Sequence, residues 1–259
     1  MSAVELHHTE SGPRDAPAVV LGSSLGTTLD MWAPVLGPLE RSHRVVRFDH
    51  RGHGGSPVPN GPYEIADLGG DVLALLDRLE LERCAYVGVS LGGMVGLWLA
   101  AHAPARITRL VAVCSSAHLP PPEPWAQRAA KVLAAGDVAA VADAVLERWF
   151  TPGYARSHPE VLGWVAAMLR GTPAAGYAAC CGVIERLDLR GELARIIAPT
   201  LVVGAAGDHA IEPEHSRAIA AGVAGARLEV LSDGAHLAAI ECADEVAALI
   251  EAHLEAVPA

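Results

Sequence analysis

One serine in this chain lies in a motif that supports nucleophilic catalysis. A Gly-Val-Ser-Leu-Gly segment centred on Ser90 follows the apolar run Ala85–Val89 and precedes a helical pattern. A strand, a G-x-S-x-G turn and a helix in this order are typical of a nucleophile elbow. The turn is so tight that Gly88 and Gly92 must be small, and it exposes the serine hydroxyl above the sheet. The sequence therefore predicts Ser90 as a nucleophile.

A serine hydroxyl needs a general base, and chain position favours His236 among the twelve histidines. In the nucleophile-elbow architecture the order along the chain is serine, acid, histidine. His236 follows the last strand-like run and precedes the final helical pattern, so its loop should open at the sheet edge of Ser90. His209 and His215 lie near the expected acid and are less well placed. We predict His236 as the general base.

The acid that orients the histidine should follow the preceding strand. The run Leu201–Gly204 leads directly to Asp208, the first carboxylate after it. Asp233 is the main alternative, but it lies so close to His236 in the chain that we expect it to shape the turn. An acid in this position holds the imidazole in the required tautomer and stabilises its cation. We predict that Asp208 has this role.

An oxyanion in acyl chemistry requires hydrogen-bond donors. One donor is expected to be the backbone N–H of Leu91, the residue after the nucleophile. The second should come from the loop after an early strand, Gly22–Gly26, where we assign the N–H of Leu25. The segment Asp49–Ser56, rich in glycine and charge, follows another strand. We interpret it as a rigid, internally hydrogen-bonded loop with a structural role.

Short apolar runs alternate with helical patterns over most of the chain. Runs with continuous apolar character indicate strands buried on both faces, and their alternation with helices indicates βαβ units. The predicted strands are Val4–Thr9 at an edge, Ala18–Gly22, Val45–Phe48, Ala85–Val89, Leu110–Cys114, Leu201–Gly204 and Leu228–Leu231. The predicted helices between them are Ile65–Leu79, Leu91–Ala103, Pro213–Ala221 and Glu241–Leu254. The fold class is therefore α/β, with a mostly parallel sheet flanked by helices.

This alternation stops between about residues 119 and 198. A proline-rich hinge opens the segment, and only helical patterns follow. They are Trp125–Ala135, Val138–Phe150, Pro159–Leu169 and Ala174–Leu187. We predict a core made of residues 1–118 and 199–259, with a helical cap, residues 119–198, inserted between two strands.

Composition limits the partners and the compartment. The formal net charge of −11 argues against a nucleic-acid partner. No uncharged apolar stretch reaches the ~20 residues of a membrane span. The five cysteines are irregularly spaced, which favours reduced thiols over a disulfide framework or a zinc site. Since Met1–Glu10 shows no signal-peptide pattern, we expect a cytoplasmic location. The histidines and acids show no metal-ligand spacing such as H-E-x-x-H, so we expect no metal.

These motifs resemble those of 3-oxoadipate enol-lactonases, the α/β-hydrolases of the β-ketoadipate branch of aromatic catabolism. The Asp49–Ser56 loop, the Ser90 motif and the His236 loop are shared by many α/β-hydrolases. The segments that resemble this family more specifically are Ser24–Trp32, Arg148–Pro152 and Gly176–Cys181. The resemblance spans nearly the whole chain. It departs before Asp208, where Ala205 and Gly207 replace a glycine followed by an acidic residue.

The resemblance implies an α/β-hydrolase fold and the hydrolysis of an enol-lactone to 3-oxoadipate through an acyl-enzyme, with no cofactor. A broad-specificity esterase or a cofactor-free perhydrolase would use the same three catalytic residues. A non-enzymatic ligand-binding protein of this fold is a further alternative, which the presence of both the serine and the histidine disfavours. Some members are fused to a decarboxylase domain, and this chain is compatible with either arrangement.

The small-molecule substrate that the resemblance implies carries a carboxylate, whereas the protein is acidic. A local cation must then bind that carboxylate, and an arginine fork can pair with it through two hydrogen bonds. The arginines of the predicted cap are Arg128, Arg148, Arg156, Arg170 and Arg186. We favour Arg128, with Trp125 nearby, and then Arg148 beside Trp149.

Overall fold

A seven-stranded sheet organises the computed structural model, which describes residues 1–256. The order across the sheet is β1-β3-β2-β4-β5-β6-β7, and every neighbouring pair is parallel except β1 with β3. The strands are β1 His8–Ser11, β2 Ala18–Gly22, β3 Arg44–Phe48, β4 Cys84–Val89, β5 Ile107–Val113, β6 Thr200–Ala205 and β7 Arg227–Leu231.

Eleven α-helices accompany the sheet in the described residues. Six of them alternate with the strands: α1 Leu36–Leu39, α2 Ile65–Arg78, α3 Leu91–His102, α9 Pro213–Gly222, α10 Ala238–Glu241 and α11 Ala243–Glu255. The other five lie together between β5 and β6: α4 Glu123–Ala135, α5 Ala139–Leu146, α6 Pro152–Ser157, α7 Pro159–Gly171 and α8 Ala174–Arg186. Two segments of 3₁₀-helix occur at Leu29–Val35 and Leu193–Arg195.

The central strands form because their side chains are apolar on both faces. Every residue of β2, β4 and β6 is buried. Such strands suit a parallel sheet covered by helices, since both faces then exclude water. The predicted α/β-hydrolase fold class is confirmed by this architecture, including the helical segment inserted between two strands.

The edge strand differs from the prediction. The sequence pattern predicted a strand over Val4–Thr9, whereas β1 covers His8–Ser11 and pairs antiparallel with β3. Side chains from elsewhere take the backbone donors of the earlier segment: the Val4 N–H donates to Asp71 Oδ1 at 2.7 Å and the His7 N–H donates to Ser56 Oγ at 2.9 Å. A segment whose donors are occupied in this way does not pair as a regular strand.

The inserted helices also differ in detail from the predicted ones. The helix predicted to reach Phe150 ends at Leu146, and a separate short helix, α6, follows the turn that contains Trp149. The carbonyl of Trp149 accepts the Leu237 N–H at 3.1 Å, which fixes this turn against the loop of His236. A tertiary contact of this kind overrides the local helical pattern.

All five cysteines are free thiols, and all but Cys242 are buried. Across residues 1–256, no helix has both the length and the apolar character needed to cross a membrane.

Candidate active site

The turn after β4 has the geometry of a nucleophile elbow. Ser90 adopts φ 55° and ψ −116°, a left-handed conformation that is strained for a residue with a side chain. A Cβ added to Gly88 would lie 2.3 Å from the Gly92 backbone, so a side chain would not fit there. The Ser90 N–H donates to the Val113 carbonyl at 2.9 Å, and the Ser115 hydroxyl donates to the Ser90 carbonyl at 2.8 Å. These bonds hold the strained turn and leave the Ser90 hydroxyl uncommitted.

The two residues predicted as base and acid are in direct contact. His236 Nδ1 lies 2.9 Å from Asp208 Oδ2, and both side chains are buried. The other carboxylate oxygen of Asp208 accepts the N–H groups of Ala210 and Ile211, each at 2.8 Å. A carboxylate held in this way accepts the Nδ1 proton, which leaves His236 Nε2 free to take a proton from a nucleophile. Asp233 instead accepts the hydroxyl of Ser232.

The loop after β2 and the start of α3 meet at one edge of the sheet. Gly22 is paired with Gly88 in the sheet register, and the Gly92 N–H donates to the Ser23 carbonyl at 3.1 Å. Within the described residues, the backbone N–H groups of Leu25 and Leu91 have no hydrogen-bond acceptor. Two unpaired N–H groups beside a serine nucleophile are what an oxyanion requires.

Two buried histidines from the loop after β3 hold the loop after β2 in place. His50 Nε2 lies 3.0 Å from the Ser23 carbonyl, and His53 Nε2 accepts the Gly26 N–H at 2.9 Å. Burial lowers the pKa of His50 to about 3 and that of His53 to about 4, so both imidazoles are neutral at pH 7. The loop Asp49–Ser56 is internally bonded as predicted, for example through Ser56 Oγ to the Asp49 carbonyl at 2.6 Å. Nothing in the sequence pattern indicated that the histidines of this loop also hold the predicted oxyanion loop in place.

Ser90 and His236 line one pocket, the inner cavity. Leu25 also lines it, as do residues of the inserted helices, among them Trp125, Arg128 and Trp149. The structure thus brings six of the predicted site residues to one cavity: Ser90, His236, Leu25, Trp125, Arg128 and Trp149. Asp208 lies behind His236, and Leu91 is next to Ser90 in the chain.

The guanidinium of Arg128 is positioned to face this cavity. It lies 4.5 Å from the ring centroid of Trp125, a cation–π contact that orients it. Arg128, Trp125 and Trp149 line both the inner cavity and a second one, the outer cavity, which also includes Arg148. The shared residues show that the two cavities adjoin each other.

Arg148 and Trp149 are adjacent in sequence but lie differently. Arg148 lines the outer cavity, and its Nε donates to the His209 carbonyl at 2.8 Å. Burial and the nearby charge of Arg128 lower the pKa of Arg148. The Trp149 ring stacks on the His236 imidazole, with centroids 6.4 Å apart and planes 26° from parallel. Trp149 therefore contacts the predicted base, whereas Arg148 is committed to a backbone carbonyl farther out.

A carboxylate ties the inserted helices to the His236 loop. Glu241 accepts the Thr151 N–H at 3.2 Å and the Ala235 N–H at 3.2 Å, and it also accepts the Thr151 hydroxyl at 2.5 Å. Thr151 is the N-cap of α6 and Ala235 precedes His236, so the side chain of Glu241 connects both segments.

Two hydroxyls in the cavity wall had no role in the sequence-based prediction. The hydroxyls of Ser24 and Tyr177 are buried and have no hydrogen-bond partner in the described residues, and both residues line the inner cavity. The resemblance had marked both segments but assigned no function to either side chain. A buried donor without a partner cannot be recognised from a sequence, because its neighbours come from distant parts of the chain.

No group of three or more His, Cys, Asp or Glu side chains within residues 1–256 is arranged to hold a metal ion. The chemistry that the cavity offers comes from the serine, the imidazole, the backbone donors and the guanidinium of Arg128.

The arrangement of elbow, base and acid on this sheet defines a class of protein. The sequence model of the α/β hydrolase fold matches residues 17–156, and the chain belongs to the α/β-hydrolase family.

Among its relatives, 3-oxoadipate enol-lactonase 2 of Acinetobacter baylyi is 35% identical over 92% of this chain and 88% of its own length. The crystal structure of the enol-lactonase from Burkholderia xenovorans LB400 superposes with a TM-score of 0.95 and 42% identity, covering 98% of this chain and 97% of that one. The protein RutD of Variovorax paradoxus, described as a carbamate hydrolase, is 35% identical over 89% of each chain. The predicted resemblance to enol-lactonases is confirmed by the first two.

Proposed function

We propose that this protein hydrolyses 3-oxoadipate enol-lactone, with Ser90 as nucleophile, His236 as general base and Asp208 as the acid that orients it. The observation that carries the proposal is the inner cavity, whose lining includes Ser90, His236 and Arg128. A nucleophile and a cation in one cavity suit a lactone that bears a carboxylate. The similarity to enol-lactonases supports the same substrate.

The chemistry follows from these positions. Ser90 Oγ attacks the lactone carbonyl while His236 Nε2 takes its proton, and the N–H groups of Leu25 and Leu91 stabilise the oxyanion. Collapse of the tetrahedral intermediate breaks the ring C–O bond and expels an enolate, which takes the proton from His236 and becomes the ketone by way of the enol. Water then attacks the acyl-enzyme, with the neutral His236 taking its proton. The second tetrahedral intermediate collapses, His236 returns the proton to Ser90 Oγ, and the diacid leaves.

Arg128 and Arg148 would have different roles in substrate binding. Arg128 reaches the inner cavity and would bind the substrate carboxylate, with Trp125 keeping the guanidinium in place. Arg148 lies at the outer cavity and would raise the local positive potential at its mouth, against the negative charge of the whole protein. The small lactone and water are the only partners that the proposal needs, and a cytoplasmic location agrees with the free thiols.

A second candidate is carbamate hydrolysis, because RutD is as similar in sequence as the enol-lactonase. An esterase or perhydrolase of broad specificity is a third. The experiment is a comparison of kcat/KM for the purified protein on the enol-lactone, a simple aryl ester and a small carbamate, with perhydrolysis assayed in peroxide. We expect the enol-lactone to exceed the others by orders of magnitude. A higher value on the carbamate or the ester would overturn the proposal.

The same assay tests the nucleophile. Ser90→Ala should abolish turnover of every substrate and leave the fold intact, because the serine makes the covalent bond. A serine-reactive phosphonate should label the wild-type protein at Ser90 and leave Ser90→Ala unlabelled. Full activity in the alanine variant would remove Ser90 from the mechanism.

A further inference from the structure

The hydroxyl of Ser24 is a buried donor that has no partner, in a residue that lines the inner cavity. Ser24 is 1% exposed, its Oγ forms no hydrogen bond in the described residues, and it lines the cavity together with Ser90 and His236. Leaving a buried hydroxyl unpaired opposes folding. A molecule bound in the cavity would supply the hydrogen-bond acceptor that this hydroxyl lacks.

The backbone of Ser24 is fully committed, so only the hydroxyl is available to a ligand. Its N–H lies 3.3 Å from the sulfur of Met31. Its carbonyl accepts the Thr27 N–H at 3.1 Å and the Thr27 hydroxyl at 2.8 Å. The next residue in the chain is Leu25, whose unpaired N–H is the proposed oxyanion donor. The hydroxyl of Ser24 therefore lies beside the site at which the oxyanion should form.

The surrounding loop is held rigidly enough for such a role. On one side the Ser23 carbonyl is in contact with His50 and accepts the Gly92 N–H, and on the other the Gly26 N–H donates to His53. Donors that are fixed before the reaction stabilise developing charge without a cost of reorganisation at the moment of reaction. The two histidines thus fix Ser24 as well as Leu25.

We propose that Ser24 is a catalytic residue whose hydroxyl donates a third hydrogen bond to the oxyanion, beside the N–H groups of Leu25 and Leu91. The proposal rests on the proposed role of Ser90, since the oxyanion forms when that serine attacks. No bond to Ser24 is made or broken: the hydroxyl keeps its proton throughout and only donates a hydrogen bond to the negative oxygen.

The chain offers a matched control in the preceding residue. Ser23 also has a buried hydroxyl without a partner, but it does not belong to the cavity lining that the structure describes. Replacement of either serine by alanine removes one unpaired buried hydroxyl from the same loop and leaves every backbone bond in place. A loss of kcat caused by a disturbed loop should therefore appear in both variants. A loss of kcat caused by a missing oxyanion donor should appear only in Ser24→Ala.

The experiment measures kcat, KM and thermal stability for Ser24→Ala, Ser23→Ala and Ser24→Thr. We expect Ser24→Ala to lower kcat about 10- to 100-fold with KM nearly unchanged, since a side-chain donor acts mainly in the transition state. Ser23→Ala should keep kcat within about twofold, and Ser24→Thr, which retains a hydroxyl, should recover part of the loss. Equal losses in the two alanine variants, no loss in Ser24→Ala, or an effect on KM alone would overturn the proposal.

The same variants are assayed on an activated aryl ester, which separates this inference from the proposed substrate. Hydrolysis of the ester forms the same kind of oxyanion whichever natural substrate the protein has. If the wild type hydrolyses the ester but not the enol-lactone, and Ser24→Ala loses kcat on the ester, the proposed function fails and the role of Ser24 stands. If the wild type hydrolyses both and Ser24→Ala equals it on both, the role of Ser24 fails and the proposed function stands.

Discussion

Gly52, in the loop after β3, lies directly against Gly176, in α8, with backbone touching backbone. A Cβ added to Gly176 would lie 2.2 Å from the Gly52 carbonyl oxygen, and one added to Gly52 would lie 2.6 Å from Gly176 Cα. Gly52 also has φ +78°, which a side chain disfavours. Since α8 brings Tyr177 into the inner cavity, this contact sets how closely the helix covers Ser90.

We therefore expect Gly176→Ala to push α8 away from the sheet. The added methyl meets backbone atoms that cannot move aside, so the free energy of unfolding should fall by about 1–3 kcal/mol, and kcat/KM should fall with it. The measurements are chemical denaturation and turnover of the substrate.

Gly163→Ala in α7 is the control for this prediction, because an added Cβ there meets nothing within 4 Å. It should leave activity unchanged and raise stability by up to about 1 kcal/mol, since alanine suits a helix better than glycine. Similar effects of the two substitutions would show that the contact between Gly52 and Gly176 does not control the position of α8.

The sequence predicted those parts of the molecule that depend on local pattern and chain order. The central strands follow from continuous apolar runs, and β2 begins and ends where it was predicted. Ser90, Asp208 and His236 could be proposed as catalytic residues because each follows a strand, and the carboxyl ends of parallel strands meet at one edge of a sheet. The prediction that these residues come together at one edge of the sheet required no knowledge of side-chain contacts.

The parts that the sequence did not predict depend on contacts between distant segments. The shift of the edge strand to His8–Ser11 comes from side chains of Ser56 and Asp71, which take donors of the N-terminal segment. The bracing roles of His50 and His53 require the loops after β2 and β3 to be adjacent. The choice between Arg128 and Arg148 turns on which guanidinium is already bound to a backbone carbonyl, and helical periodicity cannot show that.

Asp208→Asn should lower kcat by about three to four orders of magnitude, because the amide cannot orient His236 and stabilise its cation. Asp233→Asn is the matched control. Its carboxylate contacts the Ser232 hydroxyl rather than an imidazole, so activity should stay close to that of the wild type. The check is steady-state kinetics of both variants. A severe loss in Asp233→Asn with a mild one in Asp208→Asn would reverse the assignment of the acid.

Arg128→Met should discriminate between substrates of different charge. If the guanidinium binds a carboxylate, kcat/KM for the enol-lactone should fall far more than kcat/KM for a neutral lactone of similar size, because only the first loses a charged partner. Arg148→Met serves as the comparison. Its guanidinium is bound to the His209 carbonyl and lies at the outer cavity, so we expect a smaller loss that weakens further at high salt. Equal losses on the two lactones in Arg128→Met would assign the carboxylate to other donors.

The buried histidines should make the protein sensitive to acid. Burial lowers the pKa of His53 from its usual 6.5 to about 4, while the Arg51 carbonyl and Asp49 oppose this shift. Burial lowers the pKa of the neighbouring His50 to about 3. Since each folded-state pKa lies below its unfolded value, the unfolded chain binds more protons between these values. Stability is therefore complete above about pH 6.5 and is lost as the pH falls towards 4.

His53→Gln tests this dependence while keeping an acceptor for the Gly26 N–H. Each buried histidine should contribute a slope of about 1.4 kcal/mol per pH unit to the free energy of unfolding in that range. Denaturant unfolding of the wild type and the variant from pH 7 down to pH 4.5 should give curves that converge as the pH falls, because the variant has lost one of the two titrating groups. At pH 7 protonation contributes little to the free energy of unfolding. There the variant should be less stable than the wild type, because the glutamine fills the site of the His53 imidazole less well. Parallel curves over the whole range would show that protonation of His53 is not linked to unfolding.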